Sequence, residues 1–269
     1  MSVSCSDCFS DDLLCCEDSD TIFSGDEVPE CSSDIDSQQV RPDDDFEESI
    51  TAGLINHERE YIPGLDYIER FQSKSLDSSA RAQSISWILK VQRYYGFQPL
   101  TAYLAVNYLD RFLHSRRLPQ TNGWPMQLLS VACLSLAAKM EEPLVPTLLD
   151  LQVEGAKYVF EPRTISRMEV LVLNALDWRL RSITPFSFIS LFACKVDPTG
   201  TYTAFLISRA RDIILSHLQE VSFLEYRPSC IAAATILCAA SDFPVFSFLN
   251  PEYAQSWCHG LHKDWRFEV

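Results

Sequence analysis

The sequence predicts an all-α protein in which two tandem helical units follow an acidic N-terminal tail. Apolar residues recur at the three- and four-residue spacing of amphipathic helices through most of the chain. Only 8 of the 269 residues are glycine, too few for a turn-rich β fold. Charge is concentrated at one end, since residues 1–50 hold 16 of the 37 acids and a single base, Arg41.

The tail, residues 1–48, is expected to be disordered, because its Asp, Glu, Ser and Cys residues cannot bury enough surface to offset the lost chain entropy. No hydrophobic signal sequence opens the chain, so its ten cysteines favour an intracellular protein with reduced thiols. Cys5 and Cys8 form a lone C-x-x-C with no second pair, which predicts neither a metal site nor a cofactor.

The body of the chain carries 21 acids and 21 bases and is therefore neutral. It lacks the basic excess of a nucleic-acid-binding protein. No apolar run reaches the roughly 20 residues that a membrane span requires. The expected partners are consequently proteins, with no nucleic acid and no membrane.

The first helical unit is assigned to residues 49–182 and is expected to open with a leading helix. Caps and prolines set the boundaries of its other helices. The predicted segments are a helix from Asp77 to Tyr95 that Gly96 ends, one from Pro99 to about Arg116, one from Trp124 to Glu142 before Pro143, a short one near residues 147–152, and one from Pro162 to Leu176.

The second helical unit is assigned to residues 183–269, because Thr184 and Pro185 give a cap and a first-turn proline that restart the helical pattern. Helices are predicted at residues 186–194, 202–221, 228–240 and 251–259. Residues 131–139 and 233–241 share a pattern of small residues, which indicates a duplicated central helix.

Catalysis is not expected, because the sequence lacks a phosphate-binding loop, a G-x-S-x-G turn and an H-E-x-x-H pair. Lys139 and Glu169 instead stand out as charges on helices that are otherwise mostly apolar. Isolated charges at helix edges are usually just solvated. The segments around these two residues favour a partner-binding role.

Four segments resemble the cyclin box in order and spacing. They are Trp87-Ile-Leu-Lys-Val91, Leu104-Ala-Val-Asn-Tyr-Leu-Asp-Arg-Phe-Leu113, Leu136-Ala-Ala-Lys-Met-Glu-Glu142 and Arg167-Met-Glu-Val-Leu171. The resemblance implies a five-helix unit around a buried central helix, present twice, in a regulatory subunit that is not an enzyme. A complete second unit would have a fifth helix, so the second unit is expected to be C-terminally truncated.

The resemblance also assigns site residues. Lys139 and Glu169 match a charged pair that contacts the kinase in cyclins, and the predicted kinase-binding set adds Met140, Glu141 and Glu142. Ser241 stands at the lysine position of the second unit. The first unit is therefore expected to make the main kinase contact.

Two further sets of residues follow from the same resemblance. Arg81 and Asp110 match a salt bridge of architectural function between two helices. Trp87, Gln83, Ser84 and Gln127 lie where cyclins have a groove that docks short substrate motifs. Gln83 and Ser84 replace branched aliphatic residues and Lys90 replaces an acid, which argues against a standard docking groove.

The tail contains a second motif, because Leu13, Cys15 and Glu17 fit the pattern L-x-C-x-E. This motif is similar to the one with which D-type cyclins bind retinoblastoma-family proteins. Residues 123–127 and 175–179 are most similar to plant D-type cyclins. An extended tail would place Leu13 and Cys15 on one face, with the Glu17 carboxylate toward backbone N–H groups.

The resulting hypothesis is a regulatory subunit that activates a cyclin-dependent serine/threonine kinase and recruits retinoblastoma-related protein, promoting entry into DNA synthesis. Cyclin-dependent kinase inhibitors are a further expected class of partner. The expected location is the nucleus, and the cytoplasm is a second possible location. Two alternatives stay open: a cyclin-like helical adaptor that activates no kinase, and a transcription-initiation factor. The second should carry a zinc ribbon and a basic body, which are not found in this sequence.

Overall fold

The computed structural model describes residues 44–119, 123–153, 156–246 and Trp257. Those residues form helices and connecting turns, with no strand among them, which confirms the predicted all-α fold class. No helix within these ranges is long and apolar enough to cross a membrane. The tail and most of the predicted helix at residues 251–259 lie outside the described residues.

Seven α-helices form the N-terminal part of the fold. They are α1 (Asp44–His57), α2 (Leu65–Gln72), α3 (Ser78–Tyr95), α4 (Pro99–Ser115), α5 (Trp124–Glu141), α6 (Asp150–Val153) and α7 (Pro162–Ala175), with a short 3₁₀ helix at Glu58–Tyr61. α5 is the central helix: residues 128–138 are all buried, and α3, α4 and α7 pack against it. Its small residues allow this close approach from several sides.

Local caps explain why α3 has the predicted bounds. The Asp77 carboxylate accepts a hydrogen bond from the Ser79 N–H at 2.8 Å, which satisfies one free donor of the first turn. At the other end Gly96 adopts a left-handed conformation with φ 67°, the usual role of glycine at a helix C-terminus. Pro99 then occupies the first turn of α4.

The second unit contains α8 (Phe186–Val196), α9 (Thr203–Ser216) and α10 (Pro228–Ala240), with 3₁₀ helices at Val221–Glu225 and Pro244–Phe246. α10 is its central helix and packs against α8 and α9. Trp257 is 5% exposed and lies with its ring 5.4 Å from that of Phe192. The second unit therefore has a hydrophobic core of its own.

One predicted helix was too long. The prediction of a helix over residues 202–221 was wrong beyond Ser216, where α9 ends and a turn leads into the 3₁₀ helix Val221–Glu225. The reason is tertiary: Leu218 is 5% exposed and belongs to the core of the first unit, not to that of the second. The chain leaves the helical path to place this side chain there.

Candidate functional site

The candidate site is built on the C-terminal turn of α5 and the middle of α7, two helices packed against each other. The Lys139 ammonium donates to both carboxylate oxygens of Glu169, at 2.7 and 2.8 Å. The structure therefore brings together two side chains that are thirty positions apart in the sequence.

The two charges of this pair differ in exposure. The Lys139 side chain is 46% exposed, whereas that of Glu169 is 9% exposed. An ammonium has three donors, and two of them are directed to Glu169. The pair thus presents a positive group held in place by a buried carboxylate, with one donor left for a partner.

The three residues after Lys139 have different environments. Met140 and Glu141 are exposed. Partial desolvation of the Glu141 carboxyl raises its pKa, and the charge of Glu142 adds to the shift. Glu142 instead turns back to the start of α4, where its Oε1 accepts hydrogen bonds from the Gln98 N–H at 2.7 Å and from the Thr101 hydroxyl. The geometry gives Glu142 a helix-capping contact.

Exposed apolar side chains flank the charged pair in sequence, a feature that sequence reasoning missed. Leu144 is 85% exposed, and Val145 and Leu149 are also exposed in the segment that follows α5. Val170 and Leu171 are exposed directly after Glu169. The signal available in the sequence was the pair of prolines, Pro143 and Pro146, which keep this apolar segment from continuing the helix.

Arg81 and Asp110 form a buried, two-pronged ion pair between α3 and α4. Arg81 Nε and Nη2 lie 2.7 and 2.8 Å from the two Asp110 oxygens, and the Tyr67 hydroxyl of α2 donates to Oδ1 at 2.8 Å. Arg81 Nη1 also donates to the Gln219 carbonyl of the second unit at 3.1 Å. Burial alone would lower the pKa of the Arg81 guanidinium, but attraction to Asp110 raises it overall.

The four residues expected at a substrate-docking groove are mostly engaged elsewhere. The Gln127 amide donates to the Tyr158 carbonyl at 2.9 Å and accepts from the Tyr158 N–H at 3.2 Å, holding that segment against α5. Ser84 is buried, Trp87 packs partly buried against the core, and only Gln83 is exposed. Whether these four residues form a docking groove stays a prediction.

A further buried carboxylate, Glu58, was not found by sequence reasoning. Glu58 accepts hydrogen bonds from the Ser229 N–H and hydroxyl, both at 2.8 Å, and so caps α10 from the first unit. Burial raises its pKa, while the bonds from Ser229 and the charge of Arg227 oppose the shift. Nothing local in the sequence signals a contact between residues 171 positions apart.

The tail motif of Leu13, Cys15 and Glu17 lies outside the described residues, as do Cys5 and Cys8. Within the described part of the chain, no cluster of His, Cys, Asp and Glu could hold a metal ion. The candidate site is a surface that combines the Lys139–Glu169 pair with exposed apolar side chains.

Comparison with known proteins matches both units. Residues 49–181 match the family model "Cyclin, N-terminal domain", and residues 183–263 match "Cyclin, C-terminal domain". Cyclin-D1-1 of Arabidopsis thaliana is 60% identical over 94% of this chain and 73% of its own length. Cyclin-D2-1 of Oryza sativa subsp. japonica is 52% identical over 94% of this chain and 79% of its own length.

A solved structure agrees at the level of the fold. A viral cyclin from herpesvirus saimiri superposes with a TM-score of 0.53 over 68% of this chain and 83% of its own length. Its sequence identity is 17%, so the likeness concerns the fold alone.

Proposed function

Since this chain belongs to the cyclin family, and within it to the D-type cyclins, we propose that it binds and activates a cyclin-dependent serine/threonine kinase through the surface around Lys139 and Glu169. The observation that carries the proposal is the convergence of these two side chains on one partly exposed surface. As a regulatory subunit, the protein acts by binding and contributes no reacting group.

The surface has the composition of a protein interface. Exposed Leu144 and Leu149 supply apolar area, and Lys139 and Glu169 supply directional polar contacts. Apolar cores with polar groups at their edges are typical of specific interfaces. A charge-assisted hydrogen bond that becomes desolvated at such an interface is strong, and leaving one partner unpaired costs about 2 to 5 kcal/mol.

Activation follows from differential binding. A kinase interconverts between conformations, and a subunit that binds the active one more tightly shifts the population toward it. The active conformation is the one in which the catalytic ion pair and the activation loop are placed for phosphoryl transfer. The contacts of Lys139 and Glu169 with backbone groups of the kinase would supply this preference.

The kinase contact is tested with the double variant Lys139→Ala/Glu169→Ala. The variant should lose kinase co-purification and kinase activation while keeping a wild-type circular dichroism spectrum. Lys195→Ala/Glu220→Ala removes the same two charge types from the second unit and should retain both properties. Undiminished kinase activation by the first variant would overturn the site. If no kinase co-purified with the wild-type protein, the alternative of a helical adaptor that activates no kinase would be favoured.

The proposal extends to recruitment of retinoblastoma-related protein through Leu13, Cys15 and Glu17. The support is the L-x-C-x-E pattern within an acidic segment, joined to a cyclin box. Tethering a substrate beside the kinase raises its effective concentration, which would promote its phosphorylation and entry into DNA synthesis. Nuclear action, and regulation by cyclin-dependent kinase inhibitors, belong to the same proposal.

Cys15→Gly tests the recruitment step independently of the kinase contact. The variant should lose pull-down of retinoblastoma-related protein and keep kinase binding, because Cys15 fills a small apolar pocket in the proposed mode. Cys5→Gly changes the same residue type outside the motif and serves as the control. Equal pull-down of retinoblastoma-related protein by the wild type, Cys15→Gly and Cys5→Gly would contradict the recruitment step. Retention of a fluorescent fusion of the wild-type chain in the cytoplasm would contradict nuclear action.

A further inference from the structure

The linker between α7 and α8, residues 176–185, contains two consecutive residues with a left-handed backbone. Asp177 has φ 51° and Trp178 has φ 59°, a region that residues other than glycine seldom adopt. Trp178 is also 67% exposed, so burial of its indole compensates little for the strain. Strain of this kind persists where surrounding contacts hold the backbone, and it is found preferentially at functional sites.

Arg111 of α4 holds this linker through two hydrogen bonds and one longer contact. Its Nη1 donates to the Arg179 carbonyl at 2.9 Å and to the Ser182 hydroxyl at 3.1 Å. Its Nη2 lies 3.5 Å from the Leu176 carbonyl. The accepting groups therefore lie on both sides of the left-handed residues. A guanidinium presents its donors in a fixed planar fork, so these contacts fix the linker backbone relative to α4.

Tyr61, at the end of the 3₁₀ helix that follows α1, holds Arg111 in turn. The centre of its ring lies 5.3 Å from the Arg111 guanidinium carbon and 5.4 Å from that of Arg179. Both distances are within the range of cation–π attraction. Glu60 pairs with Arg179, and the Asn107 amide of α4 donates to the Tyr61 carbonyl at 2.9 Å. Tyr61, Arg111 and Arg179 together form the linker clamp.

The linker continues directly from the helix that carries Glu169. The Trp178 N–H donates to the Leu173 carbonyl of α7 at 2.9 Å, and the Leu176 N–H donates to the Val172 carbonyl at 3.0 Å. The left-handed residues thus close the last turn of α7. Leu173 lies about one helical turn after Glu169, so the linker clamp acts on the end of the helix whose middle forms the candidate site.

We propose that Arg111, held by Tyr61, is a positioning residue for the kinase contact: it fixes the left-handed linker and thereby the C-terminal end of α7, so that the surface around Lys139 and Glu169 is ordered before a kinase binds. The inference rests on the proposed kinase-binding function. In this role Arg111 does not touch the kinase. A surface that is already ordered binds more tightly, because less conformational freedom is lost on association.

Arg111→Lys is the first test, because it keeps the charge and removes the planar fork. The affinity of the full chain for an immobilised cyclin-dependent kinase should fall at least about fivefold. Arg93→Lys makes the same change at an exposed arginine of α3 and should bind like the wild type. Undiminished affinity of Arg111→Lys would overturn the proposal. A wild-type chain that binds no kinase would instead contradict the proposed function, and this inference with it.

Hydrogen exchange with mass spectrometry distinguishes positioning from a general loss of stability. In Arg111→Lys the linker amides should exchange faster, including the Trp178 N–H that bonds to the Leu173 carbonyl, because the linker is released. The buried residues 128–138 of α5 should keep their wild-type exchange. An increase of similar size in both segments would mean that the whole fold is weakened, which would overturn the positioning role.

Tyr61 is tested separately, which also covers the case in which Arg111→Lys unfolds the chain, as a thermal melt would show. Tyr61→Leu removes the ring face and should weaken kinase binding at least about threefold. Tyr61→Phe keeps the ring face and should bind like the wild type. Equal kinase affinities of the two Tyr61 variants would overturn the linker clamp.

Discussion

At the scale of single residues, the buried Asp110 carboxylate is satisfied by hydrogen bonds from two other helices. Asp110 is 1% exposed and receives bonds from both Arg81 and the Tyr67 hydroxyl. Removing one partner of a buried ion pair is costly because the remaining charge stays desolvated. The Lys139–Glu169 pair differs, since solvent reaches its lysine.

Tyr67→Phe tests the residue-scale network with a minimal change. It removes one donor to Asp110 and should lower the free energy of unfolding by about 1 kcal/mol, measured by urea denaturation. Tyr94→Phe is the matched control, because Tyr94 is 64% exposed, and it should change stability little. Equal effects of the two substitutions would contradict the importance of the Tyr67 hydroxyl.

Glu58 gives a pH-dependent prediction. Because its pKa in the folded protein is raised above 4.5, the folded state holds the proton more tightly than the unfolded chain. Its contribution to stability is fully present below pH 4.5 and declines as pH rises through the folded pKa. Relative to Glu58→Gln, the wild type should therefore gain stability as the pH is lowered through the raised folded pKa towards 4.5. A stability difference independent of pH would contradict this.

At the scale of elements, the helices are ended by residues close in sequence but are held in position by distant ones. α4 starts at Pro99 with no cap from its own neighbour Gln98. The cap comes from Glu142, at the end of α5, which bonds to the Gln98 N–H. This contact fixes the start of α4 to the end of the helix that carries Lys139.

Glu142→Ala should therefore act on stability. Loss of a helix-capping side chain costs about 0.5 to 2 kcal/mol, and the change is read from the midpoint of urea denaturation. Glu141→Ala is the matched control, since Glu141 is exposed and has no such contact with α4 among the described residues. The capping role would be wrong if the two variants were equally stable.

The sequence predicted some of the helix bounds and not others. The bounds of α3, α4 and α5 follow from Asp77, Gly96, Pro99 and Trp124, because caps and prolines act within a turn. A leading helix was expected without bounds, and α2 was not predicted. The end of α9 was misplaced because Leu218 packs against a different unit.

At the scale of the whole molecule, buried contacts join the two cyclin units. Ile55 of α1 belongs to the core of the second unit, and Glu58 caps α10. In addition, Arg81 of the first unit donates a hydrogen bond to the Gln219 carbonyl of the second unit. The orientation of the first unit relative to the second unit is therefore specified by buried groups.

These contacts predict that the two units unfold together. Urea denaturation followed by near- and far-ultraviolet circular dichroism should give coincident single transitions. Glu58→Ala should weaken the coupling by leaving the start of α10 without its cap, and should broaden the transition. Two separate transitions in the wild type would contradict the coupling of the units.

The sequence by itself determined the helical class, the helix ends that depend on local caps, and the family, because these rest on residues that are near neighbours along the chain. Only the tertiary structure decided that Lys139 meets Glu169, that Glu142 caps α4 and that Glu58 caps α10. Contacts between distant positions depend on how helices pack, and packing sums many weak apolar contacts that no local pattern records.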